Sequence, residues 1–361
     1  MKPTKQLHDA GQSLWLDNIT RALLTSGTLA RYIEELSITG LTSNPTIFDL
    51  AIKNSKDYDA AIREKTAAGL SGEDLFFELA LDDLTRAADL FRQVHDATNG
   101  VDGWVSLEVS PTLAYDTAST VAAARKLHGR AARPNLFIKI PGTAEGIPAI
   151  EEAIVAGVPV NVTLLFSREQ YVAAAEAYIR GIERRVAAGL NPHVGSVASL
   201  FVSRWDSAVA GKVPAELNGQ LGIAIGKRTY KAYRDLLASD RWLRLLNVGA
   251  RSQRLLWAST GTKDPKASDV LYVQGLAAPH SVNTMPEKTL HALADHGKIG
   301  PMLAHDGGDA EEVLARFTKA GVDLDRVAAD LQRDGAAAFV TSWKDLLACL
   351  VEKSQSLKKT G

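Results

Sequence analysis

The residue best suited to covalent chemistry is Lys139, set inside the apolar run Leu136-Phe137-Ile138-Lys139-Ile140. Side chains of a strand alternate between its faces, so Leu136, Ile138 and Ile140 share one face and Lys139 takes the other. Facing a narrow interior, the ammonium loses the hydration that favours charge. Burial there disfavours the charged form, so neutral amine is expected for attack on a carbonyl carbon. A plainer reading has the lysine snorkel from a strand end into solvent; the sharp exit Pro141-Gly142-Thr143 argues against that path. Other runs place polar groups in the same way. In Trp104-Val105-Ser106-Leu107-Glu108-Val109 the aliphatic parity opposes Trp104, Ser106 and Glu108. In Val160-Asn161-Val162-Thr163-Leu164 three aliphatic residues oppose Asn161 and Thr163, and two earlier runs end polar at Asp17 and at Ser43-Asn44. Any one of these residues could simply end its strand in water. Five strands sharing the pattern favour convergence on one site, where a buried amine lies between carboxylates able to carry protons.

Such a site needs elements that bring distant segments together. Short β-branched runs alternate with helical patterns: Phe76, Ala80, Leu84, Ala87, Phe91 and Val94 step by four or three. Ser71-Gly72-Glu73-Asp74 reads as the N-cap and acidic first turn of that helix. Ser167-Arg168-Glu169-Gln170 is a capping box opening a helix with Tyr171, Ala175, Tyr178 and Ile182 on one face. Strands are predicted at Ser13–Asp17, Ile38–Ser43, Trp104–Val109, Leu136–Ile140, Pro159–Phe166, Val197–Val202, Leu255–Ser259 and Ser281–Met285. This alternation predicts an α/β fold, a (β/α)8 TIM barrel, with the polar strand ends gathered at its C-terminal mouth. A doubly wound open sheet is the competing architecture. Residues 205–250 add helical sequence between strands six and seven, with Tyr230, Tyr233 and Leu237 on one face, and residues 309–356 form a helical tail. Without a linker, low-complexity tract or short repeat, residues 1–361 read as a single domain.

Composition narrows the partners. The 361 residues are 46% hydrophobic and 23% charged, which argues against disorder and fibrous repeats. Basic and acidic residues number 41 and 42, so neither nucleic acid nor an anionic membrane is an expected partner. The lone Cys349 excludes an intrachain disulfide and a Cys-rich zinc site, and fits a reducing compartment. No apolar segment follows Met1-Lys2-Pro3-Thr4-Lys5-Gln6 and no run approaches a membrane span, so a cytoplasmic location is expected. The histidines are scattered without a His-x-His or His-x-x-x-His pair, and His305-Asp306-Gly307-Gly308 reads as a loop; no metal is expected. Gly219, Gly222 and Gly226 do not fit a dinucleotide fingerprint. Cys349, among Leu346, Leu347 and Leu350, is expected in the packed core.

Six segments, taken in order, resemble the successive motifs of the transaldolase family. They are Leu16-Asp17, Leu41-Thr42-Ser43-Asn44-Pro45, Val105-Ser106-Leu107-Glu108-Val109, Phe137-Ile138-Lys139-Ile140-Pro141, Asn161-Val162-Thr163-Leu164-Leu165-Phe166-Ser167 and Ser199-Leu200-Phe201-Val202-Ser203-Arg204. The resemblance covers roughly residues 10–290; the length and Trp257-Ala258-Ser259-Thr260-Gly261 are similar to the longer bacterial members, and the tail carries no matching motif. It implies a barrel with a Schiff-base lysine on the fourth strand and no metal or organic cofactor. The implied reaction moves a dihydroxyacetone unit from sedoheptulose 7-phosphate to glyceraldehyde 3-phosphate, giving erythrose 4-phosphate and fructose 6-phosphate. On this resemblance Lys139 attacks the ketose, and the iminium acts as electron sink. Asp17 takes and returns the C4 hydroxyl proton, while Glu108 acts with Thr163 through a water. Asn44 and Asn161 hold hydroxyls of the three-carbon unit, with Ser199 near it and Phe201 among the substrate-binding residues. Arg204 and Ser259 take the phosphate. In Thr260-Gly261-Thr262-Lys263, Lys263 either replaces a second arginine common in the family or is a solvated loop lysine. Asp17 as an N-cap and Asn44 as a pre-proline turn former are the structural alternatives.

Two rivals share the chemistry. Fructose-6-phosphate aldolases resemble this family but are much shorter and carry Gln and Tyr where Glu108 and Phe201 stand. A non-catalytic barrel that binds sugar phosphates has no need of Lys139, Asp17 and Glu108 together. The sequence does not choose between a monomer and a homodimer.

Overall fold

The computed structural model describes residues 1–359. Strands β1 (Ser13–Asp17), β2 (Ile38–Thr42), β3 (Trp104–Glu108), β4 (Leu136–Pro141), β5 (Val160–Leu165), β6 (Ser196–Phe201), β7 (Gln253–Ala258) and β8 (Val282–Met285) pair in chain order. Every pair is parallel and β8 returns to β1, closing a (β/α)8 barrel and excluding the open sheet. Each predicted run is a strand, its ends shifted by no more than two residues.

Parallel strands covered by helices bury both faces, so their outward residues are buried and mostly aliphatic, with Thr39, Ser196, Gln253 and Asn283 among the exceptions. The inward residues differ with height. Trp15, Trp104 and Phe137 fill the lower barrel, Trp104 and Phe137 stacking with centroids 4.0 Å apart. Gly40 makes room for them, since a Cβ there would stand 2.7 Å from the Trp15 indole. Below the rings, Asp102 accepts from Trp15 Nε1 at 2.8 Å and pairs with Ser13 and Arg254. Aromatic rings therefore fill the lower barrel, and the cavity that Lys139 lines opens above them.

The register shifts between Leu14 and Trp15 where β1 pairs with β2, and again on β5. A bulge interrupts β5 against β6 between Val162 and Leu165, and Leu164 takes a left-handed backbone with φ 59°. Leu164 therefore does not continue the aliphatic parity of Val160 and Val162; its side chain reaches Gly335 in the tail.

The helix Arg168–Ala187 opens on the predicted Ser167–Gln170 capping box. Ser71 stands at the N-cap of Gly72–Ala97, but its side chain makes no capping bond. The insertion forms helices Ser203–Val209, Leu221–Leu237 and Asp240–Asn247. Asp206 caps the second from outside, accepting from Leu221 N and Gly222 N at 3.0 Å and from Tyr272 Oη at 2.9 Å. In the tail, Ala310–Lys319 packs on Leu221–Leu237, and the 36-residue helix Leu324–Lys359 crosses the C-terminal mouth. Cys349 on this helix is half-buried at the edge of the core rather than within it. Among the described residues, no helix is long and apolar enough to cross a membrane, and no group of three His, Cys, Asp or Glu could hold a metal.

Candidate active site

Strand register assembles the site. Glu108 on β3 pairs with Lys139 on β4, and Lys139 pairs with Asn161 on β5. A carboxylate, an amine and an amide therefore point inward side by side. Lys139 Nζ donates to Glu108 Oε2 and to the Ser43 carbonyl, both at 3.2 Å. The two side chains are only 7% and 6% exposed, which excludes the snorkelling reading. The sequence places Lys139 between two carboxylates, and in the structure it is ion-paired with one of them, Glu108.

Burial pushes the Glu108 pKa up, against the pull of Lys139, and the negative charge of Asp17 adds to the rise. Burial also raises Asp17, opposed by Lys139, by the Thr42 hydrogen bond and by Lys263. Thr42 Oγ1 donates to Asp17 Oδ1 at 2.9 Å and is itself 2.7 Å from Thr284 Oγ1. Asp17 is not an N-cap: Thr20 caps the helix that follows, accepting from Leu23 N. Asn44 is one, its Oδ1 accepting from Ile47 N at 3.0 Å with Pro45 next in line. That leaves its amide N–H groups for the cavity it lines.

Asn161 is fixed from both sides, donating to Ser106 Oγ at 3.0 Å and accepting from Ser199 Oγ at 2.7 Å. Thr163 Oγ1 is buried without a protein partner, which suits it to a water or a substrate hydroxyl. Asp17, Asn44, Lys139, Thr163, Ser199, Phe201, Arg204 and Ser259 line one cavity. Glu108 and Asn161 support it through the bonds just given.

Lys263 is the exception. It is exposed and lines a neighbouring cavity with Asp206, Ser207 and Tyr272, because the loop after β7 turns outward. Only its charge reaches Asp17.

Arg204 is half-buried, and desolvation lowers its pKa. Its guanidinium lies 5.3 Å from the Phe201 ring centre, and among the described residues no carboxylate pairs with it. Ser259 Oγ is 3.0 Å from Ser203 Oγ, and Ser259 has φ 55°. A left-handed backbone at a non-glycine residue is strained, and two of the six such residues among those described, Leu164 and Ser259, stand at this mouth.

Sequence reasoning missed Thr42, Thr284 and Phe339 on the cavity wall. Thr42 lay within a quoted motif and shares the inward parity of its strand, a usable signal. Thr284 has the same signal on β8. Phe339 had none, because nothing local in a tail helix shows what it covers.

The arrangement offers a nucleophilic amine, two carboxyl groups displaced upward as proton carriers, and an unpaired cation. The model of the family described as transaldolase/fructose-6-phosphate aldolase matches residues 14–350. A transaldolase of Saccharopolyspora erythraea is 45% identical over 359 residues, covering 98% of both chains. One of Arthrobacter sp. strain FB24 is 45% identical over 368 residues and 99% of both chains. Transaldolase 2 of Nostoc punctiforme is 40% identical over 372 residues, covering 98% of this chain and 97% of its own. With the match spanning the whole barrel and most of the tail, the chain belongs to the transaldolase/fructose-6-phosphate aldolase family.

Proposed function

We propose that the chain is a transaldolase moving a dihydroxyacetone unit from sedoheptulose 7-phosphate to glyceraldehyde 3-phosphate in the cytoplasm. Lys139 passes a proton to Glu108 and attacks the ketose C2; Glu108 and Thr163, through a water, carry the protons that expel hydroxide and leave an iminium. Asp17 removes the C4 hydroxyl proton, the C3–C4 bond breaks, and its electrons pass into the iminium as an enamine. Erythrose 4-phosphate departs. C3 of the enamine then attacks the acceptor aldehyde, Asp17 returns its proton to the new alkoxide, and water releases fructose 6-phosphate. Asn44, Asn161 and Ser199 hold the hydroxyls of the retained unit, Phe201 walls it, and Arg204 with Ser259 takes the phosphate. Lys263 assists only at long range.

One observation carries this reading: a buried Lys139 hydrogen-bonded to Glu108, in a cavity that also holds Asp17 and an unpaired Arg204. The tail walls the same cavity through Phe339, so insertion and tail are read with the barrel as one domain. A coupled assay on fructose 6-phosphate tests the activity. Glyceraldehyde 3-phosphate should form rapidly only when erythrose 4-phosphate is supplied as acceptor. Equal formation without acceptor would identify an aldolase instead.

A further inference from the structure

We propose that the helix Leu324–Lys359 roofs the site and that Phe339 on it decides how much of the bound three-carbon unit is transferred and how much is lost. The proposal rests on the Schiff-base reading above. Phe339 is 8% exposed, lines the cavity, and centres its ring 5.5 Å from Lys139 Nζ. The helix bearing it is fastened on both sides of that residue. Seven residues before, Gln332 Nε2 donates to the carbonyls of Gly142 at 2.9 Å and Leu164 at 3.0 Å, at the ends of β4 and β5. Four residues after, Trp343 Nε1 donates to Glu73 Oε1 at 3.0 Å, and its ring meets Phe76 edge-on at 4.9 Å.

The fit is close in between. A Cβ on Gly335 would stand 3.2 Å from Arg204 Nη1 and 3.1 Å from Leu164 Cδ2. Gly335 and Phe339 are four residues apart and so share a helix face. One lets the helix approach the cation, and the other covers the amine.

Transfer and loss share every step through the enamine and then diverge. In transfer, C3 forms a bond to the acceptor aldehyde, whose oxygen takes the proton held on Asp17. In loss, that same proton must travel to C3 instead, relayed by water. Water then adds to C2, the C2–Nζ bond breaks, and dihydroxyacetone leaves with Lys139 restored to the amine. The step peculiar to loss is thus a water at C3, two bonds from Nζ. An aromatic face at this position excludes that water. Phe339 is a specificity-determining residue in this account; it exchanges no proton.

The test is the ratio of two rates on fructose 6-phosphate: release of dihydroxyacetone without acceptor, and transfer to erythrose 4-phosphate. Phe339→Ala should raise the ratio of release to transfer about tenfold, and Phe339→Leu, which keeps most of the apolar volume, about threefold. Phe339→Leu carries the test if the alanine variant does not fold. Gln332→Ala, which unfastens the roof without touching the cavity wall, should move the ratio in the same direction. A ratio unchanged in the folded variants, whether or not transfer slows, overturns the proposal. Borohydride trapping is run on the same proteins. An adduct on Lys139 with an unchanged ratio defeats this proposal alone, whereas no adduct in the wild type defeats the Schiff-base reading beneath it.

Discussion

Lys139 Nζ and Glu108 Oε2 stand 3.2 Å apart because β3 and β4 run in register at those two positions. The pairing is made by backbone, so it does not depend on a loop closing. A buried ion pair contributes little to stability, since desolvation of both groups offsets their attraction. Under the proposed mechanism its value is a proton acceptor already in contact with the attacking amine. Glu108→Gln keeps the size and removes the acceptor. It should slow Schiff-base formation by about 10²- to 10⁴-fold, measured as the rate of borohydride-trapped adduct in a single turnover. An unchanged rate would remove Glu108 from that step.

Asp17 gives the site a pH-dependent stability of unusual sign. Burial raises its pKa above the ordinary 3.8, so the folded protein holds the charged carboxylate at a cost. Below that ordinary value the group is protonated in both folded and unfolded states and no cost arises. The cost grows as pH rises through the raised folded value and is complete above it. Asp17→Asn keeps an oxygen for the Thr42 hydroxyl and removes the charge. Its melting temperature should exceed the wild type's by a few degrees at pH 7, the gap closing as pH falls towards 4, while transfer is lost. A variant less stable than wild type at pH 7 contradicts this.

Arg204 and Lys263 should separate cleanly. Arg204→Ala should raise KM for fructose 6-phosphate by about 10- to 100-fold, the scale of one charge-assisted hydrogen-bonding partner. The effect should be far smaller with unphosphorylated fructose as donor. Lys263→Ala, outside the cavity wall, should change KM by less than about threefold. Equal effects from the two would restore Lys263 as a second phosphate cation.

Asp206 ties the insertion to the barrel. Its carboxylate replaces the missing cap of Leu221–Leu237 and holds the Tyr272 hydroxyl, and none of its contacts is to the reacting groups. Asp206→Ala should cost about 2 kcal/mol or more of stability, read by denaturant unfolding. The adduct on Lys139 should still form in the folded protein.

The barrel was legible because its strands alternate short β-branched runs with long helices. Lys139, Glu108 and Asp17 were legible because an ionisable residue inside an aliphatic run must face something other than helices. Parity fails where backbone geometry breaks it. The bulge at Leu164 and the left-handed Ser259 leave no residue signature, since neither position is glycine. Local pattern left Lys263 between a phosphate cation and a solvated loop lysine, because its loop direction depends on packing against the insertion. Asn44 shows that a capping role and a place on the cavity wall are compatible, so the two readings were never alternatives. Phe339 was out of reach for a different reason. It lies 200 residues from Lys139 in the chain, and only the folded helix shows what it covers.

The central claim is the covalent role of Lys139. Incubation with fructose 6-phosphate and borohydride, followed by peptide mass spectrometry, should place a reduced three-carbon adduct on Lys139 and on no other lysine. An unmodified protein, or an adduct at a different lysine, would contradict the account.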